Sequence, residues 1–220
     1  MKKSLISLFV LLIIAGLGLL FKGGSQPSEV LGFFDPLNAT YYLDQKPVVL
    51  VKGNSSADTV FGTASKSIIN IFGEPVKGDL NGDGKIDAAV MLVQTTGGSG
   101  TFYYVAALIN KNGNGEGTNA VLLGDRIAPQ NILIKNGQII ANYADRNLGE
   151  PFTKQPSLGV SKYLAYDGSV LKESFPLAGA GEFCGGNRLN APVCIAGYQC
   201  APNPDSKLPF GDVGGTCVPK

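Results

Sequence analysis

From Pro47 to Lys172 the chain alternates short apolar runs with turn residues, and the period is that of strands. Runs rich in Val, Ile, Tyr and Phe lie at Pro47–Lys52, Ala88–Thr95, Thr101–Asn110 and Ala120–Leu123. Others follow at Ile132–Lys135, Gln138–Tyr143, Lys162–Tyr166 and Ser169–Lys172. Asn136-Gly137 links ILIK to QIIANY, and Asp167-Gly168 links KYLAY to SVLK. Both dipeptides suit the positive φ angles of a type I′ turn, so each predicts a hairpin. A longer glycine-rich connection, Thr96 to Gly100, joins AAVMLVQ to TFYYVAALI, and Asn112–Gly117 leads on towards the next strand. Only Phe61–Phe72 is ambiguous between helix and strand. Tyr103 and Tyr104 must point to opposite faces, which predicts one in the core and one exposed. The pattern predicts a mainly β protein whose residues 29–178 form an antiparallel β domain, a sandwich or twisted sheet. No repeat of 20–50 residues occurs, which excludes propellers and solenoids.

The pattern changes at both ends. Lys2 and Lys3 precede an apolar run from Leu5 to Phe21, and Lys22 follows. The run approaches the roughly 17–25 residues of a spanning helix and exceeds the usual secretory h-region of about 7–15. Residues 1–22 therefore read as a signal anchor with a single N-terminal transmembrane helix, a cleaved signal peptide being the alternative. Either places the bulk of the chain outside the cytoplasm: membrane-tethered in the first case, secreted in the second. Residues 23–28 read as a spacer. At the other end, LAGAGEF around Leu177–Phe183 reads as a hinge into a cysteine-rich module over 179–220. Its cysteines, Cys184, Cys194, Cys200 and Cys217, are even in number and clustered, which in an exported chain indicates two disulfides. Spacing alone permits three connectivities. A zinc site would need all four thiolates and usually CxxC pairs, which are missing.

Charge and composition narrow the function. Three of the 18 Lys and Arg lie in the leader, leaving 15 against 17 Asp and Glu, a formal net charge of −2. Nucleic-acid binding therefore has no electrostatic support. The chain has no histidine, which removes Ser-His and Cys-His relays and His-ligated catalytic zinc. No recognisable catalytic motif replaces them. A carboxylate-based glycosidase using two of Asp125, Asp145 and Glu150 is the surviving enzymatic alternative. Asp125-Arg126 and Asp145-Arg146 could hold a carboxylate or sugar at a rim, or simply fix loops as ion pairs. Two glycosylation-like triplets, at Asn38 and Asn54, read as incidental.

The most specific motif is GDLNGDGKID at Gly78–Asp87. Counted from Asp79, side-chain oxygens fall at positions 1, 3, 5 and 9, as Asp79, Asn81, Asp83 and Asp87. Gly84 holds position 6, and Lys85 at position 7 would offer its backbone carbonyl. Three carboxylates this close repel unless a cation lies between them, and an oxygen-seeking ion such as Ca²⁺ suits them. The alternative is an ordinary Asp/Asn/Gly-rich turn. The loop resembles that of dockerins and, because a strand rather than a helix should follow, more closely the DxNxDGxxD loop of FG-GAP repeats. Val90 stands where an EF-hand carries a bidentate Glu, so modest affinity is expected, about 10⁻⁴–10⁻³ M. A single copy excludes the integrin-like propeller. The wider stretch Gly78–Asp145 resembles a domain of exported bacterial proteins without assigned activity.

The module's spacing, C-x9-C-x5-C-x16-C, resembles the second half of the N-terminal domain of insulin-like growth factor binding proteins. Gly197–Cys200 and Gly215–Cys217 carry that resemblance, and it implies the pairs Cys184–Cys200 and Cys194–Cys217. The sequence reading is thus a calcium-stabilised extracytoplasmic binding or structural protein facing an envelope protein or glycan. A secreted inhibitor or ligand acting through the disulfide module is the alternative.

Overall fold

Why a run such as AAVMLV should be apolar at every position is answered by what covers it. Strands whose two faces are both buried lose the alternation of a half-exposed strand. The computed structural model describes residues 34–58, 66–207 and 209–220. The expected leader and spacer lie outside them. Among the described residues no helix is long and apolar enough to cross a membrane.

Among the described residues thirteen strands precede the cysteine module. The first five are β1 (Thr40–Leu43), β2 (Lys46–Val49), β3 (Asn54–Asp58), β4 (Lys66–Ile71) and β5 (Val76–Gly78). Next come β6 (Asp87–Thr95), β7 (Thr101–Lys111), β8 (Asn114–Gly117) and β9 (Val121–Asp125). The last four are β10 (Ala128–Lys135), β11 (Gln138–Asp145), β12 (Leu158–Tyr166) and β13 (Leu171–Glu173). A seven-stranded sheet is built on the long β6–β7 hairpin. Two short strands share each flank of that hairpin: β4 and β5 pair with β6, β8 and β9 with β7, and β3 extends β4. A separate four-stranded antiparallel meander runs β10-β11-β12-β13.

Three layers result, with two cores. On one face Ala89, Met91, Val105, Ala107 and Ile109 pack against Ile139, Ala141, Tyr143, Leu164 and Leu171 of the meander. On the other, Ala88, Val90, Leu92, Ala106 and Leu108 meet Tyr41, Leu43, Val48 and Leu50 of the β1–β2 hairpin. Each fully buried Leu or Ile there contributes roughly 1.5–3 kcal/mol. The double covering corrects one expectation: neither Tyr103 nor Tyr104 is fully exposed. Tyr104 is only 7% exposed in the β1–β2 core. Tyr103 is partly buried against the meander core, with Phe72 edge-on at 5.8 Å.

The expected strands form, most of them longer than anticipated, and three local readings change. Residues Lys66–Ile71 of the ambiguous stretch are β4. Asn112–Gly117 is not a connection. Asn112 and Gly113 both take positive φ, 58° and 93°, and Asn114–Gly117 folds straight back onto β7. At Asn136-Gly137 both φ values are positive, as a type I′ turn needs. At Asp167-Gly168 only Gly168 is. There the Asp167 carboxylate accepts the N–H groups of Ser169 and Val170, making a longer loop and delaying β13 to Leu171.

The cysteine module contains β14 (Leu177–Ala178), β15 (Phe183–Cys184), β16 (Val193–Cys194), β17 (Tyr198–Pro202) and β18 (Gly215–Pro219). Cys184 is bonded to Cys200 and Cys194 to Cys217, with Cα separations of 5.8 and 5.6 Å. This is the pairing the resemblance implied. No cysteine among the described residues is free, so the thiolate zinc reading lapses. Strand β14 pairs with β16 in parallel, so the chain joins the module from Leu177 onwards.

The β10–β11 turn holds the module. The Gln138 side chain, 1% exposed, donates to Ser174 Oγ and the Phe175 carbonyl and accepts the Leu177 N–H at 2.7 Å. Asn136 donates to the Leu177 carbonyl and to Glu182, and Lys135 pairs with Glu182 at 2.6 Å. The lysine, with the Gly179 N–H and Asn136 amide, lowers the Glu182 pKa to about 2. Gln138→Leu should therefore cost about 2 kcal/mol in urea melts, because it strands the Leu177 N–H in a buried junction. A neutral result would show that water takes over the role of the amide.

Candidate functional site

The loop between β5 and β6 is ordered by its own side chains. The Asp79 carboxylate accepts backbone N–H groups from Asn81 and Gly82 on one oxygen and from Gly84, at 2.9 Å, on the other. Asn81 Oδ1 accepts from Asp83 N–H at 3.0 Å, and Asp83 Oδ1 from Lys85 N–H at 2.9 Å. These are successive Asx turns, in which the side chains themselves fix the path of the backbone. Gly82 and Gly84, both at φ +78°, permit that path. The N–H of Lys85, first among the causes, holds the Asp83 carboxyl below its ordinary range, so it stays anionic at neutral pH.

Asp87 has a different place. It is fully buried, and its two oxygens accept the N–H groups of Leu80 and Asn110, each at 2.8 Å. This carboxylate latches the loop to β7, while Leu80 anchors it in the meander core. Asn110 completes the latch by donating to the Ile86 carbonyl and accepting the Gly113 N–H. Lys85 Nζ reaches Asn112 Oδ1 at 2.7 Å and lies 3.5 Å from Asp83. The KNGNG turn after β7 is thus part of the site; its polar, glycine-rich composition was the only sequence signal. Among the described residues the loop carboxylates are not gathered within 4.8 Å of one another. The donors left facing solvent are Asn81, Asp83 and, half-buried, Asp79, with the Lys85 carbonyl between them in sequence. These are hard oxygen donors of the kind calcium takes, and Asp87 lies buried behind them.

Arg126 and Arg146 brace one loop, and the Asp145 carboxylate accepts the backbone N–H of Arg146 at 2.7 Å. Arg126 pairs with Asp125 at 2.9 Å, and Asp125 also accepts the Thr101 N–H. Arg146 donates to the carbonyls of Arg126, Phe152 and Lys154. Phe152 lies 3.8 Å from the Arg126 guanidinium and 5.6 Å from that of Arg146. Burial raises the Asp125 pKa, but Arg126 and the Thr101 N–H outweigh it and the net shift is downward. Glu150, bonded to Lys154 and Asn147, is lowered too. A glycosidase acid needs the opposite shift, which neither Asp125 nor Glu150 shows.

No family model, curated protein or solved structure matches the chain.

Proposed function

We propose that the chain is an exported, non-catalytic binding or structural protein, tethered to the bacterial envelope by its N-terminal segment and clamped by calcium at Asp79–Asp87. The ordered Asx stack carries this reading. Its side chains have used part of their accepting capacity on backbone N–H groups and keep the remainder for a cation. Paired cysteines accord with an oxidising compartment outside the cytoplasm. Asp79, Asn81, Asp83 and the Lys85 carbonyl would hold the ion, which supplies charge neutralisation and no reaction chemistry. With a dissociation constant near 10⁻⁴ M, about 1 mM calcium adds roughly 1.4 kcal/mol, or about 3–5 °C in melting temperature. Differential scanning calorimetry with calcium and with a chelator measures it. The rise should vanish in Asp83→Ala, and its absence from the unaltered protein would dispose of the clamp.

The secreted-ligand alternative has one observation in its favour. Leu189, 92% exposed, stands in the 185–192 loop that Gly185 N–H closes onto the Pro192 carbonyl. Recovery of the protein from the medium rather than the membrane fraction would favour it.

A further inference from the structure

Where the cysteine module meets the meander there is an open groove of about 370 Å³. It is lined by Ile140 and Tyr163, from β11 and β12, and by Leu177 and Pro192. Phe183 and Arg188 also line it, the guanidinium lying 4.4 Å from the ring centroid. That stacking holds the arginine's position without using its N–H donors. Among the described residues no carboxylate pairs with Arg188, and the Tyr163 hydroxyl has no hydrogen-bond partner. Lys135 and Glu182 also line the groove, but they neutralise each other, and Glu182 is further occupied by Asn136 and the Gly179 N–H. The groove therefore combines apolar walls, a free phenol and one uncompensated, pre-positioned planar cation.

We infer that this groove binds an acidic peptide, an extended segment carrying a carboxylate side chain between apolar residues. The carboxylate takes the Arg188 fork, the Tyr163 hydroxyl serves as a second donor, and the flanking side chains cover Ile140, Leu177 and Pro192. Charge complementarity selects this occupant: a neutral peptide leaves the guanidinium unpaired, and a basic one meets it repulsively. The volume lies at the lower end for ligand sites, which suits a few residues, and junctions between modules are where such sites concentrate. The inference names the partner for the binding role proposed above and rests on that reading.

The test is a chemical-shift titration of the isotope-labelled full chain in detergent micelles with Ac-Leu-Glu-Leu-NH₂. The neutral isostere Ac-Leu-Gln-Leu-NH₂ and glucuronate serve as comparison ligands. Saturable shifts should gather at Tyr163, Leu177, Phe183 and Arg188, with the Gln peptide at least about tenfold weaker, as loss of a charge-assisted pair implies. Arg188→Gln should erase that preference, and Arg188→Lys should restore part of it. Arg188 is exposed, so the variants' unchanged spectra elsewhere will certify their folding. Equal affinity for both peptides, tighter binding of glucuronate, or undiminished binding by Arg188→Gln overturns the assignment. If the groove stays silent while calcium still raises the melting temperature, the peptide site falls and the calcium clamp stands.

Discussion

Asp87→Ala is expected to destabilise the protein by about 3–5 kcal/mol, because it removes one buried carboxylate and strands one buried and one partly buried backbone N–H group. Those groups belong to Leu80, a core residue of the meander side, and Asn110, at the far end of β7. Amide exchange should rise at Leu80 and Asn110 first, and urea midpoints should fall accordingly. Asp87→Asn is the informative companion. It keeps one accepting oxygen but presents an amide NH₂ to the second N–H, so it should lose part of the stability. If Asp87 serves only as a latch, the calcium-induced rise in melting temperature persists in Asp87→Asn above a lowered baseline. A rise that disappears makes Asp87 a ligand as well, as its position 9 suggested. A cost below about 1 kcal/mol for the alanine variant would overturn the latch itself.

The contrast between Asp87 and its loop partners marks how far the sequence could be read. Spacing picked out Asp79, Asn81 and Asp83, whose side chains order the loop, since the loop is local and Gly84 sits where the backbone turns. Burial is not local. Nothing in GDLNGDGKID says that β7 runs behind it, so the inward turn of Asp87 and the part played by Asn110 stayed hidden. The same limit explains the Tyr103-Tyr104 pair. Alternation assigns opposite faces correctly, but only the β1–β2 hairpin lying across the sheet makes both faces interior. That hairpin, TYYLDQKPVV, was half-read because its turn residues Asp44 and Gln45 adopt positive φ without a glycine. The long strands were legible because β6 and β7 bury almost every side chain. Short ones such as β5 and β8 were not, since three or four residues, mostly polar or glycine, carry no period. Asp167 shows turn chemistry being overridden, its carboxylate capping the loop that the Asp-Gly dipeptide would otherwise have closed in two residues.

Reduction of both disulfides is expected to unfold the cysteine module while leaving the β domain intact. The module has little else to hold it. Its core is Ala178, Cys184 and Cys217, with Cys194, Tyr198 and Cys200 against them, so the crosslinks are also most of the buried apolar surface. Closing sequence separations of 16 and 23 residues contributes about 3 kcal/mol for each bond through the entropy of the unfolded chain. No helix longer than the turn at Phe210–Val213 exists among the module's described residues to compensate. The two cores around β6 and β7 are separate clusters that contain none of these cysteines. Hydrogen exchange with and without a phosphine reductant should therefore show β17 and β18 losing protection together, since Cys200 and Cys217 are register partners. Amides of β6 and β7 should stay slow. Binding of the acidic peptide should vanish with the module, because Phe183 and Arg188 lose their places, whereas the calcium-dependent rise in melting temperature should survive. A reduced module that keeps its protection would mean that packing alone suffices, and simultaneous loosening of β6 would mean that the β domain depends on its appendage.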